Sequence, residues 1–216
     1  MTQKRIVYLD HAAATPLNSQ VKEAMLPYLG EKFGNPSAIY SVGRAAKEAL
    51  DNARDDVAKV LGCTAAEVIF TGSGTESDNL AIFGVARGYG APPLTPPPQG
   101  GEIVSFPPLS KGRLGGVCCH FITTNFEHHA VLNSCEALQK EGYEVTYLKV
   151  DRDGLITPVQ LKAAIRPDTL LVSIMYANNE IGTIEPITEL VHVVRQWKKE
   201  HNRKENDPPF FHTDAC

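Results

Sequence analysis

Four short stretches of the chain place chemically capable side chains beside turns. The first is FTGSGTESDNLAI at 70–82. Glycine and hydroxyl residues ahead of a helix leave unpaired backbone N–H groups at its start, where partial positive charge collects. Gly74 and Thr75 stand there, and such a start can receive a phosphate or carboxylate. The Walker lysine is missing, which excludes a nucleotide P-loop. A simple capped turn accounts for the same residues. The second stretch is EHHAVL at 127–132. His128 can act as acid or base near neutral pH, or lie against a flat ring. Adjacent histidines do not share a helix face, so His128 and His129 make no metal pair. A surface or core histidine is the plain alternative. The third is ANNEIG at 177–182. Asn178 and Asn179 follow an apolar run and are costly to bury without hydrogen bonds. A turn explains them, and so does a ligand-binding edge. The fourth is FHTDA at 211–215. An ionised Asp214 at the end of an apolar strand needs a cation nearby. A protonated ring nitrogen is one such partner, and it turns the ring into an electron sink.

The elements that must position these residues alternate in type. Apolar side chains from Val42 to Leu61 recur at helical spacing, and Gly62 is a stop signal. Residues 67–70 (EVIF) read as a short strand, followed by a helix through 79–85. The spacing predicts a strand over 120–123, a helix over 128–140 and a β-rich segment over 143–150. Asp153-Gly154 marks a turn. Thr157-Pro158 is an N-cap with a first-turn proline, opening a helix to about 165. Residues 170–175 form an apolar run suited to a strand buried on both faces. An amphipathic helix over 187–199 and a strand over 210–212 complete the series. Such alternation implies an α/β fold with a mostly parallel sheet and helices on both faces. Ligands in such sheets bind at the carboxyl ends of the strands, where all four stretches fall.

Composition removes several classes of function. Hydrophobic residues make up 43% and charged residues 21%, with a net charge of -4. No basic stripe is present, so a nucleic-acid partner is not expected. No apolar run reaches the length of a membrane helix, and the N-terminus lacks a secretory h-region. Five irregularly spaced cysteines without a C-x-x-C pair point to neither a disulfide framework nor a zinc site, and a reducing cytoplasm fits them. Residues 89–117 are rich in proline and glycine and carry an imperfect repeat, PPLTPPPQGG at 92–101 and PPLSKGRLGG at 107–116. The expectation for that insertion is a surface loop.

The order of motifs resembles the cysteine desulfurases, class-V enzymes that use pyridoxal 5'-phosphate (PLP). The matching stretches are YLDHAAATP at 8–16, FGNPSAIYSVGR at 33–44, FTGSGTESDNLAI at 70–82, EHHAVL at 127–132, SIMYANNEIGTIEPI at 173–187 and FHTDA at 211–215. The resemblance implies the type I PLP-transferase fold. It further implies an N-terminal arm over 1–16 belonging to the family's small domain, and an incomplete PLP-binding large domain over 17–216. By the same resemblance Gly74 and Thr75 hold the cofactor phosphate and His128 stacks on the ring. Asn179 bonds near the ring hydroxyl, and Asp214 pairs with the pyridine nitrogen. The implied reaction takes L-cysteine to L-alanine and passes the sulfur to an enzyme cysteine, for iron–sulfur cluster assembly. The implied partners are a second copy of the chain and a scaffold or sulfur-acceptor protein. The family's Schiff-base lysine and sulfur-accepting cysteine come later than Cys216, so the chain alone is expected to be inactive, with one sheet edge uncovered. A selenocysteine lyase shares these motifs, and a non-catalytic truncated product is the alternative of a different kind. The turn reads Gly-Ser-Gly-Thr at 72–75, where the family usually has Ser-Gly-Ala-Thr.

Overall fold

The computed structural model describes residues 7–89 and 119–216. The chain divides into two compact units, Met1–Phe70 and Thr71–Cys216. The proline-rich insertion lies almost wholly outside the described residues.

In the first unit, helix α1 (Ser19–Met25) starts at Asn18, whose side chain accepts from the Gln20 amide at 2.9 Å. A 3-10 turn, Leu26–Leu29, follows. Helix α2 (Ser41–Leu61) ends at Gly62, which adopts φ 70°, a left-handed conformation that side chains disfavour. Helix α2 buries only Gly43 and Ala58. Its apolar C-terminal turn faces outward, with Val60 86% and Leu61 69% exposed.

The expected strand over 67–70 does not form. Thr64 and Glu67 make a reciprocal capping box that folds Ala65–Glu67 into a 3-10 turn. Residues 68–70 pair with no strand among the described residues, and the Val68 carbonyl accepts from the Arg54 side chain at 3.2 Å instead. β propensity expresses itself only where a partner strand and a covered face exist, and here Ile69 is left 67% exposed.

The second unit is a parallel α/β layer structure. Strands β1 (His120–Thr124), β2 (Glu144–Leu148), β3 (Thr169–Ser173) and β4 (Phe210–His212) lie in the order β2-β1-β3-β4, every pair parallel. Helices α3 (Gly74–Tyr89), α4 (His129–Lys140), α5 (Pro158–Ala164) and α6 (Ile187–Glu200) connect and cover them. Side chains alternate across the sheet with period two. Phe121 and Leu171 join Ile82 of α3 and Val131 and Leu138 of α4 on one face. Ile122 and Val172 join Leu161 of α5 and Leu190 and Trp197 of α6 on the other. Both faces are covered, so every residue of β1 and β3 is buried. Thr157 caps α5 through a capping box with Gln160, as its spacing predicts. The strand and helix expectations for 120–212 are met to within a few residues at each end. Among the described residues no helix is long and apolar enough to cross a membrane.

At the amino edge of the sheet, His120 is fully buried. Its Nδ1 bonds Thr169 Oγ1 at 2.9 Å and its Nε2 bonds Thr146 Oγ1 at 2.8 Å. One ring thus joins three strands. Burial, helped by the nearby Arg166 charge, pushes its pKa down to about 4. This polar cluster stands at the opposite edge from the four stretches that could carry chemistry.

Candidate functional site

The carboxyl edge of the second unit gathers most of the residues singled out from the sequence. Gly74 and Thr75 are the first two residues of α3. Neighbouring amides there are taken by the chain itself. Gly72 donates to Glu76 Oε2 at 2.7 Å, Glu76 donates to Ser73 Oγ at 3.2 Å, and Ser77 donates to the Ser73 carbonyl at 3.1 Å. No described group accepts from the amides of Gly74 and Thr75, which stay open for an anion. Thr71 Oγ1 and Ser77 Oγ lie 2.6 Å apart and brace the turn. Thr75 is anchored from behind, its carbonyl accepting from Asn79 Nδ2 at 2.7 Å.

His128 is the N-cap of α4, immediately beyond β1. Its Nδ1 accepts from the Ala130 amide at 3.2 Å. An accepting Nδ1 leaves the neutral ring's hydrogen on Nε2, so the exposed imidazole offers a fixed N–H donor outward. Asp214 follows β4, half-buried, and its Oδ1 accepts from the Cys216 amide at 3.1 Å. Its carbonyl receives the Tyr176 amide at 2.7 Å, which continues the β3–β4 ladder to the sheet edge.

The two asparagines have different tasks. Asn178 is buried and builds the turn: its Oδ1 accepts from the Glu180 and Ile181 amides at 2.9 and 3.0 Å, and its Nδ2 donates to the Phe126 carbonyl at 3.1 Å. Gly182, at φ 75°, closes the same turn. Asn179 is thereby presented outward, exposed, and its side chain makes no hydrogen bond among the described residues. The turn reading and the ligand-edge reading of the pair therefore apply to one residue each.

Three titratable side chains at this edge escape sequence reasoning. Asp78, one helical turn after Gly74, is 3% exposed, and its Oδ1 lies 3.6 Å from His212 Nε2. His212 Nδ1 in turn bonds Ser173 Oγ at 2.9 Å. Burial pushes the Asp78 carboxyl up to about 6, the charge of Asp214 adds to the rise, and His128 opposes it. Burial likewise pushes His212 down. Glu127, beside His128, is buried and pushed up to about 7, chiefly by burial. The spacings i, i+4 on α3 and i, i+2 along β4 were available signals for Asp78 and His212. Their burial was not legible.

Cys216 lies beside both ends of the cluster. Its amide holds Asp214, and its sulfur lies 2.6 Å from where a Cβ on Gly74 would stand. The atom in the way is the tip of an exposed side chain, free to rotate. Gly74→Ala is therefore expected to change stability by less than about 1 kcal/mol in urea denaturation. A larger loss would show that Cys216 is held in place. Burial, followed by Asp214 and Asp78, pushes the Cys216 thiol up. A sulfur-accepting nucleophile needs the opposite, a thiolate at neutral pH.

The arrangement fits PLP. Open helix-start amides suit its phosphate, and an imidazole with an outward donor suits its ring. The charge of Asp214 adds to the burial that raises Asp78, so a protonated ring nitrogen placed here would offset it. Among the described residues, no lysine is among the charges acting on Asp78, Glu127, His212 or Cys216.

Comparison with known proteins bears on the same reading. The aminotransferase class-V family model matches residues 7–93 and 118–200. A relative from Dictyoglomus turgidum named cysteine desulfurase IscS is 47% identical over 212 residues, 98% of this chain and 45% of its own length. A solved structure titled NifS-like protein superposes with a TM-score of 0.78 at 33% identity, covering 97% of this chain and 49% of that one. Another, SspA in complex with cysteine, gives a TM-score of 0.75 at 36% identity, covering 96% of this chain and 50% of that one. The chain thus spans less than half the length of the curated relative. Cofactor-ready geometry at the sheet edge and the family match agree: the chain belongs to the class-V aminotransferase family of PLP-dependent enzymes, with the type I fold.

Proposed function

We propose that this chain carries the cofactor face of a cysteine desulfurase, which takes L-cysteine to L-alanine and hands the sulfur to an acceptor for iron–sulfur cluster assembly. One observation carries the reading. Asp214, the cation-receiving end, is bonded to Cys216, whose sulfur lies against Gly74 at the anion-receiving end. A ligand with a phosphate and a basic ring nitrogen matches both ends at once. When bound, PLP supplies an electron sink for the bonds of the substrate amino acid.

The chain's own residues have separable tasks. The Gly74 and Thr75 amides hold the phosphate, aided by the positive end of α3. Asp214 keeps the ring nitrogen protonated, since a carboxylate beside a base stabilises its charged form. His128 covers the ring and moves a proton at Nε2. Asn179, lifted outward by the Asn178 turn, bonds the ring substituent side. The names of relatives and the bound cysteine in one neighbour favour L-cysteine as substrate. With no lysine in the cluster among the described residues and the Cys216 thiol pushed up, the 216 residues alone are expected to turn over no cysteine. On this reading the Schiff-base lysine and the acceptor thiolate belong to the part of the relatives' length that this chain does not span, and the working enzyme is a homodimer.

The test is alanine formed per cysteine consumed, with PLP present, for the chain alone and for the chain together with a polypeptide supplying the remaining half. Turnover is expected only in the second case, and Asp214→Ala is expected to reduce it by at least about 100-fold. Undiminished turnover in Asp214→Ala would overturn the assignment.

A further inference from the structure

We propose that Glu127 is a positioning residue that ties the turn carrying His128 to the strand end carrying Asn178 and Asn179, so that both keep a fixed relation to Asp214. The site reading above says what is being positioned; the clamp itself stands on hydrogen bonds. Glu127 Oε1 accepts from Thr124 Oγ1 at 2.8 Å and from the Met175 amide at 3.1 Å. Thr124 Oγ1 in turn accepts from the Phe126 amide at 3.1 Å. Asn178 closes the circuit from the other side by donating to the Phe126 carbonyl at 3.1 Å. One residue beyond Met175, the Tyr176 amide holds the Asp214 carbonyl. A single carboxyl oxygen thus joins the end of β1, the cap of α4 and the end of β3.

The second oxygen explains why the clamp is an acid. Glu127 Oε2 is buried, with no hydrogen-bond partner, in a residue only 6% exposed. A bare carboxylate oxygen there is costly, and a proton on it removes most of the cost. Acidic groups face it from the neighbouring elements: Asp214 after β4 and Glu185 ahead of α6 both raise its pKa, while Thr124 and the Met175 amide lower it. The Cys135 thiol of α4 feels the Glu127 charge as well. The clamp is protonated below about pH 7 and strained by charge above it. A purely steric filler would show no such dependence.

The 216-residue chain without cofactor is the sample, and the readouts are amide hydrogen exchange and the NMR titration of the Glu127 side-chain carboxyl. The carboxyl is expected to titrate near neutrality, and Met175 amide protection is expected to weaken as it ionises. Glu127→Gln, which keeps the accepting oxygen without a charge, should hold that protection within about threefold and abolish its pH step. Glu127→Ala should lower protection of Met175 by about tenfold or more, and that of Glu180 and Ile181 with it. Should the alanine variant fail to fold, the glutamine variant and the carboxyl titration decide alone. Titration in the ordinary carboxylate range, a glutamine variant as damaged as alanine, or an alanine variant with Met175 still protected would each overturn the proposal. None of these outcomes depends on PLP. Loss of cofactor binding with the clamp intact would count against the enzyme reading only.

Discussion

Phe121→Ala is expected to destabilise the second unit by about 3–5 kcal/mol, the usual loss for a buried aromatic in a well-packed core. Phe121 is 1% exposed on a strand flanked on both sides, paired with Val145 on β2 and Leu171 on β3. Its ring meets Tyr143 edge-on, with centroids 5.7 Å apart and planes at 87°. Ile82, Val131 and Leu138 from two helices close around the same cluster. The strand cannot move toward the opening, because its other face is packed through Ile122 against α5 and α6. Most of the cavity should therefore persist. Domains are held by only about 5–15 kcal/mol in total, so the loss should take the variant to the margin of folding. Phe121→Leu, which keeps most of the volume, should cost roughly 1–2 kcal/mol. Urea denaturation monitored by circular dichroism reads both. An alanine variant within about 1 kcal/mol of the original would mean that β1 does not carry this core.

The second large effect concerns His120 and acid. Its folded pKa lies at about 4, depressed from 6.5 by burial. A base with a depressed folded pKa contributes stability that is complete above the unfolded value and is lost as pH falls toward the folded one. Between pH 6.5 and 4 the unfolded chain takes up a proton that the folded ring refuses. The loss is about 3 kcal/mol at 1.4 kcal/mol per pKa unit. Asp78 and Glu127 run the other way. Their folded pKa values are raised to about 6 and about 7, so they retain protons that the unfolded chain releases, and their contribution falls as pH rises. These opposing contributions overlap the window of the histidine and mask it in the raw stability profile of the chain. The difference between the chain and His120→Asn isolates the single group. The variant starts less stable at pH 7, and the gap should narrow by about 3 kcal/mol on going to pH 4. A gap that stays constant would mean that the ring titrates normally despite its burial.

Local chemistry made much of this architecture readable. Thr157-Pro158 announced α5 because capping is decided within four residues. Gly62 ended α2 for an equally local reason, a left-handed turn. The apolar run over 170–175 was readable as a buried strand, found at Thr169–Ser173, because only a sheet covered on both faces tolerates it. Residues 67–70 failed as a strand because strandness depends on a partner, which no local pattern supplies. In the site, His128 and Asp214 were visible as capable side chains beside turns. Asp78 and Glu127 were not, since a carboxyl within a helix or next to a histidine reads as ordinary surface. Only packing from distant segments makes them buried acids. The Asn178–Asn179 pair lies between these cases: its location was legible, its division of labour was not.

The strand order β2-β1-β3-β4 has a bearing on how the molecule is made. Among the described strands, β1 emerges first and stands inside the sheet. β2 then joins one side of it, β3 the other, and β4 the outer side of β3. At no stage must a strand be threaded between two that are already paired. Each new segment leaving the ribosome meets a ready edge and has a helical crossover to bring it there. The order of translation and the order of assembly coincide, so the sheet can be laid down outward from its centre while the chain is still being synthesised.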